Sequence, residues 1–274
     1  MDSTRSILHP AQAFFLAKPY TSTLEDLYKF ILWDLIARQV LSFKVKTYKP
    51  HPRDRYTRSA WHVSTGKHIV GYQPLPFEKA ILDIFIQYPD SMIRFKGWAK
   101  FLYKTSPTSG AFKRKFLRPT GLLKELVVYG PVSKYSPLHL LNADGRRFAQ
   151  HLRFYLKEFD KKIANGYLLT HPTEALEHLI NLRSNVFLLS SESLSSFSIY
   201  RKKYRENPAI LEVKSDEEEE LYHLFLLSEE FDDFWDNQAF FDKNFETHFA
   251  PDRGMKTETV DSGWMVARPS GQVW

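Results

Sequence analysis

The chain has 274 residues, 43% of them hydrophobic, and a formal charge of +6, which is enough apolar material for a core in one large or two modest domains. It has no cysteine, which excludes disulfides, thiolate metal sites and cysteine nucleophiles. No run approaches the roughly 20 apolar residues that cross a bilayer, and His9-Pro10 and Lys18-Pro19 interrupt the region where a signal core would lie; the expected location is the cytoplasm.

In chain order, residues 9–17 predict a short helix with Ala11, Phe14, Phe15 and Ala17 as its apolar members. Ser22-Thr23-Leu24-Glu25 reads as a capping box. The helix it opens places Leu24, Leu27, Tyr28, Ile31 and Leu35 at three-four spacing, which predicts one apolar face. Leu41 to Tyr48 alternates apolar and polar, as a half-buried strand does. Pro50 to Arg55 is turn or wing-tip chemistry, and Tyr56–Val63 and His68–Tyr72 are candidates to pair back as strands.

Pro74-Leu75-Pro76 ends this first unit. Phe77, Ala80, Ile81, Ile84 and Phe85 predict a helix, and a second helix is expected over Met92–Tyr103. Leu122–Tyr129 predicts another, stopped by Gly130-Pro131. Leu138–Leu141 is a short strand, and Asn142 caps a helix running to about Lys162. Pro172 opens a further helix, and Ser215-Asp216-Glu217-Glu218 caps an acidic one extending to about residue 236.

One order of elements occurs twice. Leu32 to Phe43 and Leu122 to Val132 each run from an apolar helix into a β-rich stretch that leads to a new helix. That is the order of a winged helix. Leu141-Asn142-Ala143-Asp144-Gly145 resembles the Leu-Thr-x-x-Gly start of the last helix in many bacterial winged-helix proteins, with Asn142 in place of Thr. The span from His9 to Phe85 is similar to a group of uncharacterised bacterial proteins. The matching residues are Pro10, Ala13, Leu16, Leu35, Val40, Leu41, Pro76 and Ile81. The pair Tyr155-Leu156 is similar to one in a soluble region of some bacterial membrane proteins, whose spans this chain lacks. The resemblance implies a winged-helix-like fold and carries over no catalytic residue.

Charge is uneven along the chain. Residues 1–150 carry 24 Lys and Arg against 10 Asp and Glu, a net +14; residues 151–274 carry 14 against 22, a net −8. A basic front and an acidic back suggest different partners, or an intramolecular contact of the acidic helix 216–236 with the basic half. Arg94, Lys96, Lys100, Lys104, Lys113, Arg114, Lys115 and Arg118 are interleaved with Phe95, Trp98, Phe101, Phe112 and Phe116. Cations on one face would neutralise phosphates; the alternative is that the aromatics are core and the cations their solvated backs. The first wing adds Lys44, Lys46, Lys49, Arg53, Arg55 and Arg58, suited to a nucleic-acid backbone or an anionic membrane surface. The same charges would also protect an edge strand from aggregation.

His171 to His178 collects ligand-type side chains, with Glu174 and His178 four apart. A metal site needs a further pair, so no metal and no cofactor is expected. Enzyme signatures are missing: there is no Gly-x-Ser-x-Gly, no Gly-x-Gly-x-x-Gly, no phosphate loop and no His-Glu-x-x-His. The expected protein is therefore helix-dominated α+β. Winged-helix-like units over residues 9–74 and 75–165 precede a helical region over 166–250 and a tail over 251–274. The leading expectation is a non-enzymatic binding or scaffold protein with an unidentified protein partner. The alternatives are a DNA-binding regulator using Lys113, Arg114, Lys115, Arg118 and the first wing, and peripheral binding to an anionic membrane.

Overall fold

A computed structural model describes residues 8–49, 52–53, 55–128 and 141–197. The acidic helix 216–236, its capping box, the Gly130-Pro131 stop and the tail 251–274 lie outside the described residues. The protein is helix-dominated α+β with a small three-stranded antiparallel sheet. Its described residues form two compact units. One combines residues 8–37, 108–128 and 141–197; the other is residues 38–107.

In the first unit, α1 (Pro10–Ala17) begins at a proline whose missing N–H is no loss at that position. The cap is His9: its Nδ1 accepts from the Ala11 N–H at 3.1 Å. With Nδ1 accepting, the ring proton sits on Nε2, which lies 3.0 Å from the Asp34 carboxylate in α2 (Leu24–Ala37). Both side chains are buried. The cap of α2 is Thr23 rather than Ser22. Thr23 Oγ1 accepts from Asp26 N–H and Asp26 Oδ2 accepts from Thr23 N–H, each at 3.0 Å. The box thus sits one residue later than expected, because Asp26 performs the role foreseen for Glu25. Nor does α2 have a single apolar face: Leu27, Tyr28, Phe30, Ile31, Leu32, Trp33, Leu35 and Ile36 are all buried. A helix buried on every side is a central one.

Around α2, Phe30 meets Phe14 at 4.6 Å and Trp33 at 5.5 Å, Trp33 meets Phe187 at 5.3 Å, and Tyr28 meets Phe112 at 5.0 Å. Helix α5 (Ser109–Phe112) runs into a π turn over Lys113–Leu117. Helix α6 (Leu123–Leu126) stops three residues short of the expected Tyr129, because Val127 is extended and bridges Leu141. Asn142 then caps α7 (Ala143–Ala164), accepting from Gly145 N–H at 2.7 Å. A Cβ on Gly145 would lie 2.1 Å from the Leu126 carbonyl, so only glycine lets α7 start against α6. Helices α8 (Tyr167–Thr170) and α9 (Pro172–Leu182), a 3₁₀ turn (Arg183–Leu188) and helix α10 over 191–197 follow.

The second unit is built on β1 (Leu41–Tyr48), β2 (Arg58–Thr65) and β3 (Met92–Arg94), in that order. Between the strands and helices, residues 68–72 form a turn and not the strand expected of His68–Tyr72. Gly66 N–H and His68 N–H bond back to Val40 O and Gln39 O, and a Cβ on Gly66 would meet the Gln39 carbonyl at 2.0 Å. Helix α3 (Lys79–Gln87) buries Ile81 and Phe85 of the expected stripe together with Leu82, while Ala80 is exposed, Ile84 is half-buried and Phe77 is buried ahead of the helix. The expected helix over Met92–Tyr103 is two elements. Met92–Arg94 pairs with β2, and α4 (Phe95–Thr105) starts only after it. The fully buried Glu78 anchors the connection: it accepts from Arg38 at 2.6 Å, from Tyr72 OH at 2.9 Å and from Leu75 N–H at 2.7 Å.

Candidate polyanion-binding face

Strand periodicity separates the sheet of the second unit into two chemically distinct faces. Lys44 pairs with His62 and His62 with Arg94; Lys46 pairs with Ala60, and Tyr48 with Arg58. Directly paired residues share a face, so Lys44, Lys46, Tyr48, Arg58, His62 and Arg94 stand together. The opposite face carries Leu41, Phe43, Trp61 and Val63. There Phe43 stacks on Trp61 at 4.5 Å and meets Phe95 of α4 edge-on at 5.1 Å. Burial of that apolar face fixes the register, because a slip of one residue would turn the lysines into the core.

On the polar face, Lys44, Lys46, Arg58 and Arg94 are exposed. The Arg94 guanidinium lies 4.2 Å from the centre of the Tyr48 ring, a cation–π contact that orients both. His62 Nδ1 is 2.9 Å from the Ala60 carbonyl. A carbonyl can only accept, so Nδ1 carries the proton of the neutral ring and Nε2 is the position that takes up another. Burial, and then the neighbouring Arg94 and Lys46 charges, hold the His62 pKa below its ordinary value against the opposing pull of the Ala60 carbonyl. None of the three strands contains an Asp or Glu. The hairpin connection extends the basic surface: Lys49, Arg53 and Arg55 are exposed, and Tyr56 beside them is 81% exposed.

The structure therefore brings five of the ten sequence candidates, Lys46, Lys49, Arg53, Arg55 and Arg94, onto one strand face and its hairpin. Lys96 is exposed on the first turn of α4 in the same unit. The other four belong to the first unit. Arg114 and Lys115 are exposed there, but Lys113 and Arg118 are not surface cations: they are 4% and 3% exposed. Lys113 Nζ donates to the Ser22 carbonyl at 2.5 Å and lies 5.8 Å from the Phe15 ring centre. Burial lowers its pKa, and Asp26 partly restores it. Arg118 donates to the Val128 carbonyl at 2.6 Å. Both cations satisfy buried backbone carbonyls, which need partners more than the surface needs charge. His62 and Tyr48 are the members that composition alone misses; the period-two pattern with the hairpin register would have found them.

The His171–His178 stretch is engaged by tyrosines. Tyr167 OH donates to Glu174 at 2.9 Å, and Tyr155 OH lies 2.8 Å from His178 Nδ1. Burial and the Glu174 hydrogen bond push the Tyr167 phenol up to about 12, while burial lowers His178. Among the described residues no helix is long and apolar enough to cross a membrane. Comparison with protein-family models, curated proteins and solved structures finds no match for the chain.

Proposed function

We propose that this chain is a non-enzymatic nucleic-acid-binding protein built from winged-helix-like units, and that the basic face of β1–β3 with its hairpin is the contact surface. One observation carries the proposal. Four exposed cations, a tyrosine and a histidine share a sheet face with no carboxylate in any strand. A surface evolved only for solubility mixes both signs, whereas a single-sign ribbon matches a phosphate backbone. The order α1, α2, β1, β2 over residues 9–74 supports a helix–helix–wing reading as an order along the chain, although α1 and α2 belong to the first compact unit and β1 and β2 to the second. The Val127–Leu141 bridge followed by the Asn142-capped α7, both in the first compact unit, supports the strand-to-last-helix step of the winged-helix order. In this arrangement Lys44, Lys46, Arg58 and Arg94 contact phosphates, and Tyr48 and Tyr56 offer ring faces to sugars or bases.

The test is fluorescence-anisotropy binding to a random-sequence DNA duplex over a salt series. Neutralising four phosphates predicts a slope of log affinity against log salt of about −3.6. Absence of binding at low salt would overturn the proposal. In that event, binding to anionic but not neutral liposomes would transfer the face to a membrane role, and no binding to either would return the chain to a protein-contact role.

A further inference from the structure

The first unit contains a pocket of about 380 Å³ whose walls are the chain leaving α1 and one side of α7. From α7 come Arg146, Gln150 and Arg153, spaced three and four apart and therefore on one side of the helix. The other wall brings Lys18, the residue that ends α1, and Tyr20. The floor is apolar: Leu16, Leu141 and Ala149 are buried. Among the described residues, no Asp or Glu lines the pocket. Three cationic residues thus line one concavity, Lys18 with its ammonium 5.3 Å from the centre of the Phe14 ring, and none of the described lining residues offsets their mutual repulsion.

Two of the three are also held in place. Arg146 Nη1 donates to the Leu141 carbonyl at 2.9 Å, and Arg153 Nε donates to the Ala149 carbonyl at 3.1 Å. A guanidinium has five N–H donors. Each bond uses one of them and fixes the plane of the fork, so an anion would bind to pre-oriented donors. The volume falls within the range of small-ligand sites, which combine an apolar lining with a few polar groups. Two guanidiniums, an ammonium and an amide suit a doubly charged headgroup, and the apolar floor suits a compact carbon skeleton.

We propose that this pocket binds a small organic phosphate monoester. It is a site separate from the sheet face, and it does not depend on the nucleic-acid proposal. Isothermal titration of the full chain with phenyl phosphate at low ionic strength tests it. Saturable binding of one molecule per chain is expected, with Kd below about 1 mM. Arg153→Gln removes one charge and Gln150→Glu places a carboxylate among the cations. Both positions are exposed on the surface of α7, so both variants are expected to keep the wild-type circular dichroism and melting profile. Each should weaken binding by roughly tenfold or more. Binding should be unchanged when Lys46 and Arg94 of the sheet are replaced by Gln. No saturable heat at about 10 mM phenyl phosphate, or equal affinity in both α7 variants, would overturn the site. Equal affinity for inorganic phosphate would overturn the organic ligand.

Discussion

Two stretches of this chain each combine cations with an aromatic side chain, and they differ in what the cations do. Lys113-Arg114-Lys115-Phe116-Leu117-Arg118 spans a π turn, where successive side chains point in different directions. Its first and last cations point inward and bind the Ser22 and Val128 carbonyls. Lys44-Val45-Lys46-Thr47-Tyr48 is a strand, so every second side chain shares a face, and pairing with β2 and β3 adds Arg58, His62 and Arg94 to it. In a strand, alternation sorts charge from core with few exceptions. In a helical turn a cation-rich segment divides between surface and interior, and an inward cation is retained only with an oxygen to meet it. Cation density therefore locates a binding face only after the backbone period is known.

The contrast can be broken in several ways, the largest effect first. Glu78→Ala removes the acceptor of Arg38, Tyr72 and the Leu75 N–H, and should cost roughly 3 kcal/mol in a urea unfolding titration. An unchanged midpoint would show that the second unit does not depend on this anchor. Lys113→Met orphans the Ser22 carbonyl and should cost about 2 kcal/mol of stability while leaving duplex affinity unchanged once the protein is folded. Lower affinity with full stability would reverse the role assigned to Lys113. Replacing Lys46, Arg58 and Arg94 together by Gln should do the opposite. The melting curve should hold, and the salt slope should flatten by about 3.

The smallest effect is a pH dependence. The folded-state pKa of His62 lies below the ordinary 6.5, first because of burial and then because of Arg94 and Lys46. The folded state therefore binds fewer protons than the unfolded chain in the window below 6.5, and its contribution to stability is full above that window and declines as pH falls through it. A bound phosphate would oppose that depression. Duplex affinity should accordingly rise by less than tenfold between about pH 7.5 and pH 6, with a proton taken up on binding. His62→Gln should remove the rise, and a rise that persists would assign the proton to another group.

Much of the local structure is legible in the sequence because it depends on neighbours in the chain. Pro10 starts α1, Asn142 caps α7, Pro172 starts α9, and alternation marks β1. The errors occur where a distant partner decides. Met92–Arg94 is read as helix because Phe95, Trp98 and Leu102 set a helical period just after it; pairing of Ile93 with Val63 makes it a strand. His68–Tyr72 is kept from pairing by the return of Gly66 and His68 to residues 39 and 40. The capping box shifts because Thr23 and Asp26 form it, while the Ser22 carbonyl receives Lys113 from a position 91 residues away. The basic face is half legible. Its lysines and arginines stand out in composition, but His62 and Arg94 join them only through the register of β2 with its neighbours.

The most direct measurement compares duplex-DNA salt slopes of three proteins: the wild type, the Lys46→Gln, Arg58→Gln, Arg94→Gln variant, and an Arg114→Gln, Lys115→Gln variant. A sheet-face site predicts that the first variant loses most of the slope and that the second keeps the wild-type slope. A wild-type slope in the sheet variant, with the slope lost in the Arg114, Lys115 variant, would contradict the account and place the phosphate contacts on the π turn of the first unit.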